Sequence, residues 1–155
     1  MLERRIVISP GPLQPGCWAI SKDAEGEGRY VKQTCCPGYF AVVRLRLELY
    51  LGPEAILFVN TLTDESRVWC VAVEGPPEAN RLVGSWAPFT RDVVEGIREG
   101  LSSASPDGRP LQALKLSLVE MRVHPIDSRP AHLRKAAAMA VTDGLQQAGL
   151  EPGPA

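Results

Sequence analysis

The sequence has no apolar stretch long enough for a signal peptide or a membrane span, which predicts a cytoplasmic protein with no membrane partner. It also lacks a basic excess. Seventeen Lys and Arg residues stand against 18 Asp and Glu residues, for a net charge of −1. Affinity for nucleic acid comes largely from Lys and Arg replacing counterions, so the overall charge argues against a strong nucleic-acid binder and leaves room only for a local basic patch.

Catalytic motifs are missing as well. No G-x-x-x-x-G-K-[ST] loop is present to hold phosphates and magnesium, so we expect no bound nucleotide, no cofactor and no GTPase activity. His124 and Asp127 have the spacing of a histidine–carboxylate pair, but no nucleophile stands in a motif context. Helix capping is therefore the stronger interpretation of Asp127, and the chain is predicted to be non-enzymatic.

Cysteine is scarce, and a cytoplasmic location predicts reduced thiols rather than disulfides. Cys35 and Cys36 are adjacent, whereas zinc sites use cysteines two to four residues apart, since neighbouring side chains point to opposite sides. A metal or thiol site formed by Cys35, Cys36 and His124 is therefore the weaker alternative. Cys17 and Cys70 stand beside tryptophans and are predicted to be buried apolar residues.

Strands are indicated by alternating or short apolar runs. The clearest is "VVRLRLELYL", where one face is predicted to carry Val43, Leu45, Leu47, Leu49 and Leu51. Further strands are predicted at "RRIVIS", "RYVKQT", "AILFVN" and "RVWCVAV". In "LQALKLSLVEMRV" the apolar phase shifts after Leu118, which indicates a bulge or the end of the strand. We place this strand at 112–119 and its exit loop at 120–127.

Two helices are predicted. The first follows "GSWAP" with Thr90 as its N-cap, and Gly96 and Gly100 indicate close contact with a neighbouring element. The second is capped by Asp127 or Ser128 and has Pro130 in its first turn. Its apolar stripe of small residues lets it sit close to a sheet, and Gly149 suits the position just past its end.

The predicted order is several strands, a helix, a strand and a helix. This order predicts a two-layer α+β sandwich, with both helices on one face of a mostly antiparallel sheet. We find no internal repeat and no linker. Residues 1–150 are therefore expected to form a single domain, and residues 151–155 a disordered tail.

Three segments resemble domain IV of elongation factor G, the bacterial translocation GTPase. "RYVKQTCCPGYFAVVRL" is similar to the family's Lys-Gln-Ser/Thr and Gly-Gly-x-Gly loop with its strand. "VGSWAPFTRDVVEGIREGL" is similar to its Val-Gly-Gly loop and Gly-Ile-Arg-Glu-Ala-Leu helix. "LKLSLVEMRVHPIDSRPAHLRKAAAMAV" is similar to its Tyr-His-x-Val-Asp-Ser-Ser turn and the helix that follows. The matches keep the family order over residues 29–148.

This resemblance implies a β3-α-β-α fold with a left-handed βαβ crossover, shared with a ribosomal protein domain. It also implies two tip loops that enter the decoding centre, here 34–38 and 124–128, with His124 at the position of the family's tip histidine. This sequence departs from the family at Cys35-Cys36, which replace a Gly-Gly pair, at Pro37, and at Arg129-Pro130, which replace Ser-Glu.

Arg129, His132, Arg134 and Lys135 place positive charge at a helix N-terminus, where it opposes the helix dipole. This indicates either an anionic partner or a solvated face. We therefore expect contact with the ribosome, RNA or a translation-related partner through the loops at 34–38 and 124–129. The expected contact residues are Lys32, Gly38, His124, Asp127, Ser128, Arg129, Arg134 and Lys135. The alternative is a protein–protein module that kept the fold and lost RNA binding, favoured by the acidic pI, by Pro37 and by Trp69 and Trp86 if they are exposed.

Overall fold

The computed structural model describes residues 5–32, 38–62, 68–70, 87–123 and 128–154. Eight strands and two helices occur in these ranges. They are β1 (Arg5–Ser9), β2 (Trp18–Ile20), β3 (Ala24–Lys32), β4 (Tyr39–Leu49), β5 (Ile56–Asn60), β6 (Val68–Cys70), α1 (Ala87–Ser102), β7 (Leu114–Val123), α2 (Pro130–Ala148) and β8 (Leu150–Pro152). Neither described helix combines the length and apolar character needed to cross a bilayer.

The main sheet has the order β1-β5-β7-β4-β3, and β6 pairs with the end of β7. Its pairings are antiparallel except for β5–β7 and β6–β7. The parallel neighbours β5 and β7 are connected through α1, which gives the expected βαβ crossover. The α+β fold is thereby confirmed, while the hand of the crossover remains a prediction of the resemblance.

The alternation in β4 builds the core face of the sheet. Val43, Leu45 and Leu47 are fully buried under the helices, in the same cluster as residues of α1 and α2. The expectation for Leu49 and Leu51 was wrong, because β4 ends at Leu49 and both side chains are about half exposed or more. Leu49 still pairs with Leu114, so the buried face stops at Leu47, before the strand itself ends.

A bulge explains the shift of apolar phase in β7. Arg44 pairs with Glu120 and Leu45 pairs with Leu118, so Val119 is the extra residue. The bulge returns Met121 to the core face, where it is fully buried like Leu118. The predicted exit loop is therefore corrected: β7 continues to Val123.

The predicted helix caps were wrong where the structure describes them. α1 begins at Ala87, which leaves Thr90 inside the helix, where its buried hydroxyl has no hydrogen-bond partner among the described residues. In α2 the N-cap is Arg129, which has extended backbone. Ser128 instead donates its hydroxyl to the carbonyl oxygen of Phe40 at 2.6 Å. Its side chain therefore makes a tertiary hydrogen bond rather than capping the helix. The remaining candidate cap, Asp127, lies outside the described residues.

Glycines allow the helices to approach their neighbours closely. A Cβ on Gly28 of β3 would overlap the carbonyl oxygen of Ala136 in α2, and one on Gly26 would overlap that of Ala140. Between the helices, a Cβ on Gly100 would lie 2.8 Å from the Cβ of Val141. The close contacts indicated by the glycines of α1 and by the small residues of α2 are therefore confirmed.

The two ends of the domain pair with each other, contrary to the expected disordered tail. β8 is antiparallel to β2, with Ile20 opposite Leu150, and the Gly153 N–H donates to the carbonyl oxygen of Cys17 at 2.7 Å. Leu150 also packs against the core, which holds this segment in place. Gly149 ends α2 with φ 70° as predicted, and Cys17 is 1% exposed as expected.

Asp107, in the connection from α1 to β7, forms a side-chain hydrogen bond with Trp18 of β2. Its Oδ1 accepts the indole N–H of Trp18 at 2.9 Å, and its Oδ2 accepts Nε of Arg109 at 2.6 Å. The Arg109 guanidinium in turn lies 4.3 Å from the centre of the Trp18 ring. The Trp18 hydrogen bond, followed by those from Arg109, lowers the pKa of Asp107 to about 2.

This low pKa predicts an acid-dependent loss of stability. Ionised Asp107 stabilises the fold above its ordinary pKa of 3.8, and the contribution disappears as pH falls through its folded pKa. In urea titrations, the free energy of unfolding of the natural chain should exceed that of Asp107→Asn above about pH 4. The two curves should converge near pH 2. A difference that stays constant across this range would show that the charge of Asp107 is not what stabilises this contact.

Candidate functional site

The residues that flank the two predicted tip loops lie at one end of the sheet, as the resemblance implies. Lys32 at the end of β3 pairs with Tyr39 at the start of β4. Arg122 near the end of β7 pairs with Val42, and the Ser128 hydroxyl bonds to the Phe40 carbonyl. The start of α2 is thereby brought beside the start of β4. We call this region the tip end.

The structure describes six of the eight predicted contact residues, namely Lys32, Gly38, Ser128, Arg129, Arg134 and Lys135. The other two, His124 and Asp127, lie outside the described residues, as do Cys35 and Cys36 and therefore the alternative thiol or metal site. Within the described ranges, no group of three or more His, Cys, Asp or Glu side chains could hold a metal ion. Trp86 and the side chain of Trp69 also fall outside them.

Three of these predicted contact residues are exposed cations at the tip end: Lys32, Arg129 and Lys135. No described carboxylate lies within ion-pairing distance of any of them. The Lys135 ammonium instead lies 5.8 Å from the centre of the Tyr30 ring. The tip end therefore carries a local positive charge in a chain whose net charge is −1.

Arg134 has a different surrounding from its neighbour Lys135. Its guanidinium binds Glu99 of α1, with Nε and Nη2 at 2.6 and 2.5 Å from Oε1. The hydrogen bond and charge of Glu99 raise the pKa of Arg134. Arg134 therefore joins α2 to α1, whereas Lys135 has no carboxylate partner among the described residues.

An aromatic cluster that the sequence analysis missed lies among these cations. The rings of Tyr30 and Tyr39 are stacked, with centroids 4.2 Å apart and planes at 13°. The imidazole of His132 is tilted against both rings, 5.8 Å from each centroid. The strand register puts Tyr30 opposite Ala41, two residues from Tyr39 on the same face. No local pattern signals this pairing, because it depends on how β3 aligns with β4.

The positively charged surface of the tip end gives way to acidic residues farther along α2. A trough of about 680 Å³ runs over the exposed side of the helix, starting beside Lys135. Its lining includes three acidic residues, Glu27, Glu99 and Asp143, and one further cation, Arg29. An anionic ligand is therefore favoured at the tip end and disfavoured farther along the helix.

Comparison with known proteins supports the fold and the resemblance to elongation factor G. No protein-family model matches it. It is 33% identical over 131 residues to elongation factor G 1 of Syntrophomonas wolfei subsp. wolfei, a match covering 83% of this chain and 16% of that factor. A crystal structure of a protein from Thermus thermophilus is similar with a TM-score of 0.59 and 24% identity, covering 90% of this chain and 18% of that one.

The chain thus spans less than a fifth of either relative. The solved structure bears out the fold, and the sequence match bears out the resemblance carried by the three motifs. The chain is therefore related to elongation factor G over a segment the size of one domain.

Proposed function

We propose that this chain is a non-enzymatic binding domain of the translation machinery that contacts ribosomal RNA through its tip end. The contact surface comprises the segments 34–38 and 124–129 together with Lys32 and Lys135. The relation to elongation factor G supports a role in translation, and such a role includes the expected cytoplasmic location. No chemical step belongs to the proposal, because binding alone accounts for the features of this surface.

The observation that carries the proposal is the group of exposed cations at the tip end that have no carboxylate partner in the described part of the chain. By contrast, two cations on the neighbouring strands β4 and β7 are paired: Arg44 lies 3.6 Å from Glu120, and Arg122 lies 2.8 Å from the same carboxylate. Exposed cations without partners are free to replace the counterions of a phosphate backbone. The acidic overall charge does not oppose this, since screening confines the interaction to about 8 Å.

Co-sedimentation with ribosomes across a salt series tests the proposal. Binding should weaken steeply with salt, because phosphate contacts release counterions. Lys135→Gln should weaken binding several-fold and lower the salt slope by roughly one unit, as expected for the loss of one phosphate contact.

The matched control is the double variant Glu99→Gln/Arg134→Gln, which removes the neighbouring cation together with its partner and leaves the net charge unchanged. It should bind like the natural chain. Binding that resists salt and ignores Lys135→Gln would refute RNA contact and support the protein–protein module instead. Equal losses in both variants would show that helix packing, rather than free positive charge, is what matters.

A further inference from the structure

We infer that Tyr30, Tyr39 and His132 form a stacking platform for an unpaired base of single-stranded RNA. This inference rests on the proposed function and specifies the form of its ligand. The three side chains come from β3, β4 and α2, so the platform exists only once the tip end has folded.

The tyrosine pair lies where the core meets the surface, since Tyr30 packs against the core cluster but is only partly buried. Both rings are only partly buried, although β3 and β4 place them on the face that carries the helices. Neither hydroxyl has a hydrogen-bond partner among the described residues. A fully buried tyrosine normally satisfies its hydroxyl within the protein, so hydroxyls without a described partner agree with the partial exposure of both residues. Aromatic faces beside solvent are the feature on which unstacked bases are held.

His132 adds a hydrogen-bond donor to the aromatic pair. Its Nδ1 accepts the backbone N–H of Arg129 at 3.2 Å, which requires an unprotonated Nδ1 and leaves the proton on Nε2. Nε2 has no partner among the described residues. Because the backbone of the helix N-cap fixes the ring, this donor is oriented before any ligand arrives.

Two cations stand beside the aromatic side chains. Lys32 is the Cα partner of Tyr39, and the Lys135 ammonium lies over the Tyr30 ring. A base on the platform would therefore have positive charge on either side for its flanking phosphates. An RNA duplex keeps its bases stacked inside and cannot use the rings, and an acidic peptide would need the cations alone.

Fluorescence anisotropy with a labelled oligouridine, and with an RNA duplex of equal charge, tests the platform. The single strand should bind more tightly than the duplex. Tyr39→Ala should weaken oligouridine binding about tenfold, within the range of base–aromatic stacking, while Tyr39→Phe should stay within about twofold. Tyr50→Ala is the matched control, since Tyr50 follows β4 at the opposite end and bonds to Glu54. Thermal melts establish that each variant is folded.

The possible results separate this inference from the proposed function. Equal binding of strand and duplex, with no effect of Tyr39→Ala but a loss in Lys135→Gln, overturns the platform and leaves the proposed RNA contact standing. Competition by polyglutamate that is as strong as that by oligouridine shows recognition of negative charge alone and also overturns the platform. Absence of binding to ribosomes and to both RNAs overturns the proposed function, and the platform falls with it.

Discussion

Gly28→Ala is expected to destabilise the domain by about 3 kcal/mol or more, which lowers Tm by roughly 10 °C. The added Cβ would overlap the carbonyl oxygen of Ala136 and lie 2.8 Å from the backbone nitrogen of Ala140. Backbone atoms of a helix cannot rotate away as a side chain does, so α2 must move off β3. The measurement is the urea or thermal unfolding curve of the purified variant.

Glu25→Ala serves as the control, because it lies on the same strand with an exposed side chain. It should change stability by no more than about 0.5 kcal/mol. A Gly28→Ala variant as stable as the natural chain would mean that α2 does not press on β3 as the structure shows. The close approach matters for the site as well, since α2 carries His132 and Lys135 against the two tyrosines.

Reversing two charges at the tip end should reduce ribosome binding on the order of a hundredfold at moderate salt. The variant is Lys32→Glu/Lys135→Glu, which replaces two attractive contacts with two repulsive ones beside the same phosphates. Both side chains are exposed and neither pairs with a described carboxylate, so the fold should tolerate the change. The measurement is the dissociation constant at several salt concentrations.

The control reversal is Arg46→Glu/Lys115→Glu, which changes the net charge equally at the opposite end of the sheet. There both cations share Glu48, at 3.5 and 3.8 Å. This variant should bind within a few-fold of the natural chain, since distant exposed charges are screened. Similar losses of ribosome affinity in both double variants would mean that binding responds only to net charge. The tip end would then not be the contact surface.

Local pattern predicted most of the elements. Alternation located β4, and the phase shift in β7 proved to be a bulge, one of its two possible interpretations. The predictions failed where a residue's partner is remote in sequence. Ser128 looked like a helix cap but bonds to Phe40, 88 residues away. The tail looked disordered because its pairing strand, β2, lies at the other end of the domain.

The sequence by itself located both helices and the described strands other than β2 and β8. It also determined the small-residue stripe of α2 and the motifs that relate the chain to elongation factor G. These depend on periodicity and short-range composition, which each segment carries alone. Only the tertiary structure decided that Glu99 binds Arg134, while adjacent Lys135 has no carboxylate partner in the described ranges, and that Tyr30 stacks on Tyr39. The availability of a charge or a ring depends on its neighbours in space, and these are set by strand register and helix packing.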